Sequence, residues 1–348
     1  MNTKALREAV AFASKITVAK SYRPILGCVK IGDEKIIADD LETTITVPVP
    51  GLSFPALYVN AEELKKALRV AGKDVVLKRE EETLQVGSIS LRTGKEEFTT
   101  PDFSRMEAVG DPLILPLLKP LLAPAKRAES LDRLSIATIF LDYRNGLAMS
   151  TDGARLHCLP LQKSDSEPIR LDYKIAALIC GREEDAVVQA WKQTVGEVTD
   201  SWVKINLKDG TTVLHRSGEQ KFPNYQLVLF TPARTDSSIR LHRAELTSAL
   251  KAITIGKDAS GCILKRTEAG EVVYEKTATE LYTKGNLSGA VWNFPADANI
   301  SFNAQYMLNI IEHMPTQDIV LWRNSEGSPY LITDGNGSCE AFYAVLSR

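Results

Sequence analysis

Tyr58-Val59-Asn60-Ala61-Glu62-Glu63-Leu64-Lys65-Lys66-Ala67-Leu68 and Ser301-Phe302-Asn303-Ala304-Gln305-Tyr306-Met307-Leu308-Asn309-Ile310-Ile311 read as one unit written twice. Each is the end of a strand, a polar cap and a short helix with an apolar stripe. Asn60 and Asn303 suit the cap position, because a short side-chain oxygen accepts from an amide of the first turn that has no partner within the helix. Val59 and Phe302, just ahead of the caps, are placed to pack on Leu64 and Met307 as a hydrophobic staple. A third copy, Leu171-Asp172-Tyr173-Lys174-Ile175-Ala176-Ala177-Leu178-Ile179, keeps the cap and the apolar run with Ala176 at the staple position. Further helices are expected to start near Thr3, Pro116 and His242. Helix starts thus recur at roughly 55–70 residues, the mark of repeated structural units.

Between the helices the chain reads as strands. Asp74–Lys78, Thr83–Val86, Ser88–Arg92, Trp202–Leu207 and Asp318–Trp322 alternate or are β-branched, with turns such as Asp209-Gly210 and Asn336-Gly337 between strands. Alternation fits antiparallel sheet covered on one face, since strands buried on both faces read as unbroken apolar runs. The expected class is α+β, with pairs of helices on antiparallel sheets.

The 348 residues are too many for one ordinary core, and 44% hydrophobic with 25% charged is usual for a globular chain. No apolar stretch approaches membrane-spanning length, so a membrane partner is not expected and a cytoplasmic location is. Cys28, Cys158, Cys180, Cys262 and Cys339 are scattered singly, which argues against a disulfide framework and a zinc site. The net charge is −2, yet its signs are unevenly placed. Cations such as Lys65, Lys66, Arg69 and Lys126 fall on helical segments, whereas Asp39-Asp40, Glu80-Glu81-Glu82 and Glu183-Glu184-Asp185 fall at strand ends or turns. Helices sharing one face would make that face basic; ordinary solvated helix surfaces give the same pattern.

Irregular stretches at Pro101–Pro112 and Phe222–Ser238 read as joints and divide the chain into thirds, 1–110, 111–231 and 232–348, each with two helix-starting units. Catalytic motifs are missing: no phosphate loop, no His-Glu-x-x-His, no Gly-x-Ser-x-Gly, and four histidines far apart in sequence. Asp152-Gly153 reads as a tight turn between strands. No enzyme, cofactor or metal is expected.

Five motifs in order carry a resemblance: Pro24-Ile25-Leu26-Gly27, Asp40-Leu41-Glu42, Thr151-Asp152-Gly153-Ala154-Arg155-Leu156, Phe222-Pro223-Asn224-Tyr225 and Phe302-Asn303-x-x-Tyr306-Met307-Leu308. Together the chain resembles the bacterial DNA polymerase III β sliding-clamp family over nearly its whole length. The resemblance implies three clamp domains, a head-to-tail homodimeric ring with helices lining the hole, and passage of double-stranded DNA through it. A protein held on DNA by topology needs only weak phosphate contacts, so an acidic total is no obstacle. The alternative is a clamp-fold peptide-binding adaptor that closes no ring.

Carried over by position, the resemblance implies a partner-peptide cleft at Leu141, Thr151, Gly153, Arg155, Leu156, Pro223, Leu227, Val228, Asn303, Tyr306, Val345 and Leu346, taking peptides of the polymerase III α subunit and the clamp loader. It places Lys20, Arg23, Lys65, Lys66, Arg69 and Lys126 against DNA, and Phe98, Ile253 and Ile255 at the dimer contact. Leu227 stands where the family commonly has arginine, and Ala154 where it often has histidine. Gln226-Leu227-Val228-Leu229-Phe230 also matches the Gln-Leu-x-Leu-Phe pattern of the docking peptides; a connecting strand is the expected reading.

Overall fold

In a computed structural model, the described residues are 3–94, 96–98, 106–182, 186–195, 198–218, 221–233, 236–255, 261–276 and 283–346. Six α-helices come in packed pairs among them. α1 (Thr3–Ala13) packs with α2 (Ala61–Val70), α3 (Leu122–Ser130) with α4 (Tyr173–Ile179), and α5 (Arg243–Ile253) with α6 (Ala304–Ile311). The chain divides into two compact units, Met1–Leu115 with Gly181–Glu219, and Pro116–Cys180 with Gln220–Arg348.

The first unit is built on one antiparallel sheet of eleven strands, running from the edge strand Leu77–Glu80 to the edge strand Glu107–Ile114. At its middle, strand Thr43–Pro48 pairs with Thr212–Ser217, Thr44 opposite Leu214 and Ile45 opposite Val213. α1 turns Leu6, Val10 and Ala13 inward and α2 turns Leu64, Ala67 and Leu68 inward, the spacing of one apolar helical face. The second unit has a nine-stranded and a four-stranded antiparallel sheet. At the corresponding place strand Arg155–Pro160 pairs with Tyr343–Leu346, Leu156 opposite Val345 and His157 opposite Ala344.

The two quoted helix starts cap as their sequences indicate. Asn60 accepts from the amides of Glu62 and Glu63, and Asn303 from that of Tyr306. Asp172 does not: its side chain makes no capping bond, and α4 is held instead by burial of Ile175, Ala176, Leu178 and Ile179. Prolines delay the helix expected near Pro116. Pro120 stands in a short 3-10 turn, Lys119–Leu121, and α3 begins only at Leu122, since proline lacks the amide a helix interior requires.

Two more expectations need correction. Residues 107–112 are not irregular, for they lie in strand Glu107–Ile114, while 101–105 fall outside the described residues. The segment after Phe222 is not a strand either: Tyr225–Leu227 forms a 3-10 turn capped by Asn224, whose side chain accepts from the amide of Gln226. The acidic run 183–185 lies outside the described residues. None of the described helices is long and apolar enough to cross a membrane.

Candidate functional site: an apolar cleft beside a buried ion pair

The site assembles where strand Arg155–Pro160 meets Tyr343–Leu346. A strand sends successive side chains to opposite faces, so Leu156, Cys158, Val345 and Tyr343 share one face. There they form a buried cluster with Met149 and Leu331. Half-buried Phe140, Phe222, Tyr225, Val228, Leu229, Phe230 and Trp322 pack around it. Phe222 stacks flat on Phe140 with ring centres 4.7 Å apart, and the Tyr225 hydroxyl donates to Asp142 at 2.8 Å. These two contacts fasten the segment after residue 221 along the cluster. Burial and the Asp142 carboxylate push the Tyr225 phenol up to about 12, so it remains a donor at neutral pH. Leu227 breaks from the cluster and is 82% exposed.

A polar corner closes one end. Strand Leu147–Thr151 turns at Asp152-Gly153, where Gly153 has φ +89°, a conformation that glycine adopts without strain. Asp152, almost fully buried, accepts from the amides of Ala154 and Arg155 with one oxygen and from Arg155 Nε at 3.1 Å with the other. Arg155 carries its guanidinium on to Asn309 Oδ1 at 2.9 Å and lies 4.3 Å from the centre of the Tyr306 ring. Burial lowers the Arg155 pKa from its ordinary value, and Asp152 works against that shift. The Asn303 cap fixes the first turn of α6, which aims Tyr306 at Arg155 and sets Asn309 within reach.

The structure therefore brings together Thr151, Gly153, Arg155, Leu156, Val228, Asn303, Tyr306 and Val345, with Pro223 exposed on the segment between Phe222 and Tyr225. It does not bring Leu141 or Leu346 to a surface, since both are completely buried. Leu346 follows Val345 in an extended strand and so points the other way, into the core around α5 and α6. Sequence reasoning missed Arg133, whose guanidinium donates to the Asp152 carbonyl at 2.8 Å. It also missed Asn309, Phe140 and Tyr343. The first two meet the site through long-range contacts that no local pattern announces.

Among the residues expected at DNA, Lys20, Arg23, Lys66, Arg69 and Lys126 are exposed, and Lys65 pairs with Glu62 one turn earlier on α2. Of the expected dimer residues, Ile255 is 66% exposed. Ile253 is not at a surface: it is fully buried on the inward face of α5 with Leu246, Ala249 and Leu250. Phe98 is half-buried, its ring edge-on to Tyr58 at 5.1 Å. Among the described residues no group of three or more His, Cys, Asp or Glu is gathered as a metal would need.

The fold defined by these elements is that of the DNA sliding clamps. The chain is similar to the β subunit of DNA polymerase from Streptococcus pyogenes, with a TM-score of 0.78 at 18% identity over 100% of this chain and 98% of that one. It is also similar to the Bartonella birtlesii DnaN sliding clamp bound to griselimycin (TM-score 0.77, 18% identity, 100% and 98% covered). A third is the Helicobacter pylori β clamp bound to a DNA ligase peptide (0.74, 15%, 100% and 98%). No family profile matches the chain, and neither does any curated protein sequence.

Proposed function

We propose that this chain is a DNA sliding clamp, a non-catalytic processivity factor of a DNA polymerase III that works in the cytoplasm. The observation that carries the reading is the likeness of fold along the entire chain. In this reading residues 1–110, 111–231 and 232–348 are three clamp domains, each bringing one of the three helix pairs. Two chains close head to tail around duplex DNA. Lys20, Arg23, Lys66 and Arg69 contribute a modest positive potential toward the phosphates, with Lys126 from the next domain. Unpaired sheet edges invite further strands, and Leu77–Glu80 in the first domain and Thr283–Leu287 in the third are both terminal strands of their sheets. Exposed Ile255 belongs near that closure, whereas Ile253 serves the core.

The apolar cluster around Leu156 and Val345 then serves as the docking cleft for peptides of the polymerase α subunit and the clamp loader. Apolar anchors set in such a pocket dominate peptide affinity, and a free Leu227 makes the rim greasier than an arginine would. Sedimentation of wild type and Ile255→Asp tests the ring. A dimer that the substitution splits is the expected result. A wild-type chain that stays monomeric at micromolar concentration supports the adaptor without a ring.

A further inference from the structure

The stretch between Glu8 and Asp33 carries Lys15, Lys20, Arg23 and Lys30 and no carboxylate, in a chain whose net charge is −2. At its middle stands Tyr22, 87% exposed, with Lys20 and Arg23 exposed to either side. A single apolar side chain at a surface needs no explanation. This one is set apart by how firmly the chain beneath it is held. The Val18 amide donates to the Leu26 carbonyl at 2.8 Å and the Leu26 amide to the Arg23 carbonyl at 3.1 Å, which closes a loop over residues 18–26. Pro24 opens the 3-10 turn Pro24–Gly27 and keeps Arg23 extended, at φ −104° and ψ 103°. Ile25 and Leu26 anchor that turn by burial with Tyr58. At the tip, the Arg23 amide donates to Ser21 Oγ at 3.1 Å, and the Arg23 guanidinium lies 5.9 Å from the centre of the Tyr22 ring.

Phosphates call for the cations alone. A ring held out among them adds a flat apolar face, on which nucleobases stack. Within a duplex each base is already stacked between its neighbours, so such a ring serves a base that has no partner strand. We propose that the loop over residues 18–26 binds single-stranded DNA, with one base stacked on Tyr22 and the flanking phosphates at Lys20 and Arg23. The inference rests on the reading of the chain as a DNA clamp and adds to it a contact with the unpaired strand beside the duplex.

The test is fluorescence anisotropy of the full chain at low salt with three labelled probes of about 15 nucleotides per strand. They are oligothymidylate, a strand of equal length with abasic residues at its centre, and a blunt duplex. Wild type is expected to bind oligothymidylate more tightly than the abasic strand, although both carry the same phosphates. Tyr22→Ala should weaken oligothymidylate about fivefold or more, abolish that preference and leave the duplex unchanged. Tyr22→Phe, which keeps the ring, should keep the preference. Lys20→Ala should weaken all three probes through the loss of a phosphate contact. The proposal is overturned if wild type shows no preference for bases, if Tyr22→Ala binds oligothymidylate as tightly as wild type, or if it loses as much on the duplex. Sedimentation of the same samples keeps the two readings apart. A dimer in which Tyr22→Ala changes nothing removes the stacking contact and leaves the clamp standing, whereas a monomer that keeps the preference for bases supports the contact and counts against the ring.

Discussion

The two seams, Thr43–Pro48 with Thr212–Ser217 and Arg155–Pro160 with Tyr343–Leu346, share one register and differ in chemistry. On the cleft face Leu156 stands opposite Val345, which also stands opposite Leu331. The matching positions of the first unit are Thr44, Leu214 and Lys204. Thr44 spends its hydroxyl on Asp39 at 2.5 Å, and Lys204 holds its ammonium 5.5 Å from the centre of the Trp191 ring. One residue along, the second unit buries Arg155 with Asp152, while the first has Thr43 hydrogen-bonded to His215 at 2.9 Å. A single backbone plan thus yields an apolar cluster with an ionic corner at one seam, and at the other a face where Thr44 and Lys204 flank a smaller cluster of Leu214, Met106 and Trp202.

The sharpest break of that comparison is at the ionic corner. Asp152→Ala leaves the Arg155 charge buried and unpaired and should cost about 3–5 kcal/mol of stability. Thr43→Ala, which removes the contact with His215 at the matching corner, should cost about 1 kcal/mol, one neutral hydrogen bond. Urea unfolding of both variants measures the difference; equal costs would mean that the two corners do not differ as described.

Next comes Leu156→Asp, which sets a carboxylate in the apolar cluster and should weaken a Gln-Leu-x-Leu-Phe peptide by at least about 2 kcal/mol in calorimetric titration. Thr44→Ala should leave that affinity unchanged. Equal binding by wild type and Leu156→Asp would remove the cleft from the account.

The seams also differ in acid sensitivity. Burial pushes His157 down to about 3, and its counterpart Ile45 does not titrate. Near pH 5 the unfolded chain, with a histidine pKa of about 6.5, holds a proton that the folded chain refuses. Stability should therefore fall as pH drops below about 6.5 and keep falling toward the folded value. The slope from this one group approaches about 1.4 kcal/mol per pH unit. His157→Asn should flatten that part of the profile between pH 7.5 and pH 5, and Ile45→Val should leave it unchanged. The smallest effect is at the rim: Leu227→Arg adds an exposed charge, and peptide affinity should move by less than about 1 kcal/mol.

Much of this was legible in the sequence, for reasons the residues supply. Local signals held best: the caps at Asn60 and Asn303, the turn at Asp152-Gly153, and the alternation that gives antiparallel strands. Positions transferred one at a time carry no periodicity with them, and Leu346 and Ile253 show the consequence. Leu346 and Val345 are adjacent in a strand and cannot face the same side. Ile253 continues the stripe Leu246, Ala249, Leu250 and so belongs inside. Arg133 and Asn309 were beyond reach, since each meets the corner through a contact distant in sequence.

The central claim is that the chain encircles DNA, and topology tests it most directly. Labelled protein loaded by its cognate clamp loader onto nicked circular DNA should stay bound through gel filtration in high salt and be released when the circle is linearised. Loss from circular and linear DNA alike at that salt, or retention on both, would contradict a ring that holds by enclosure.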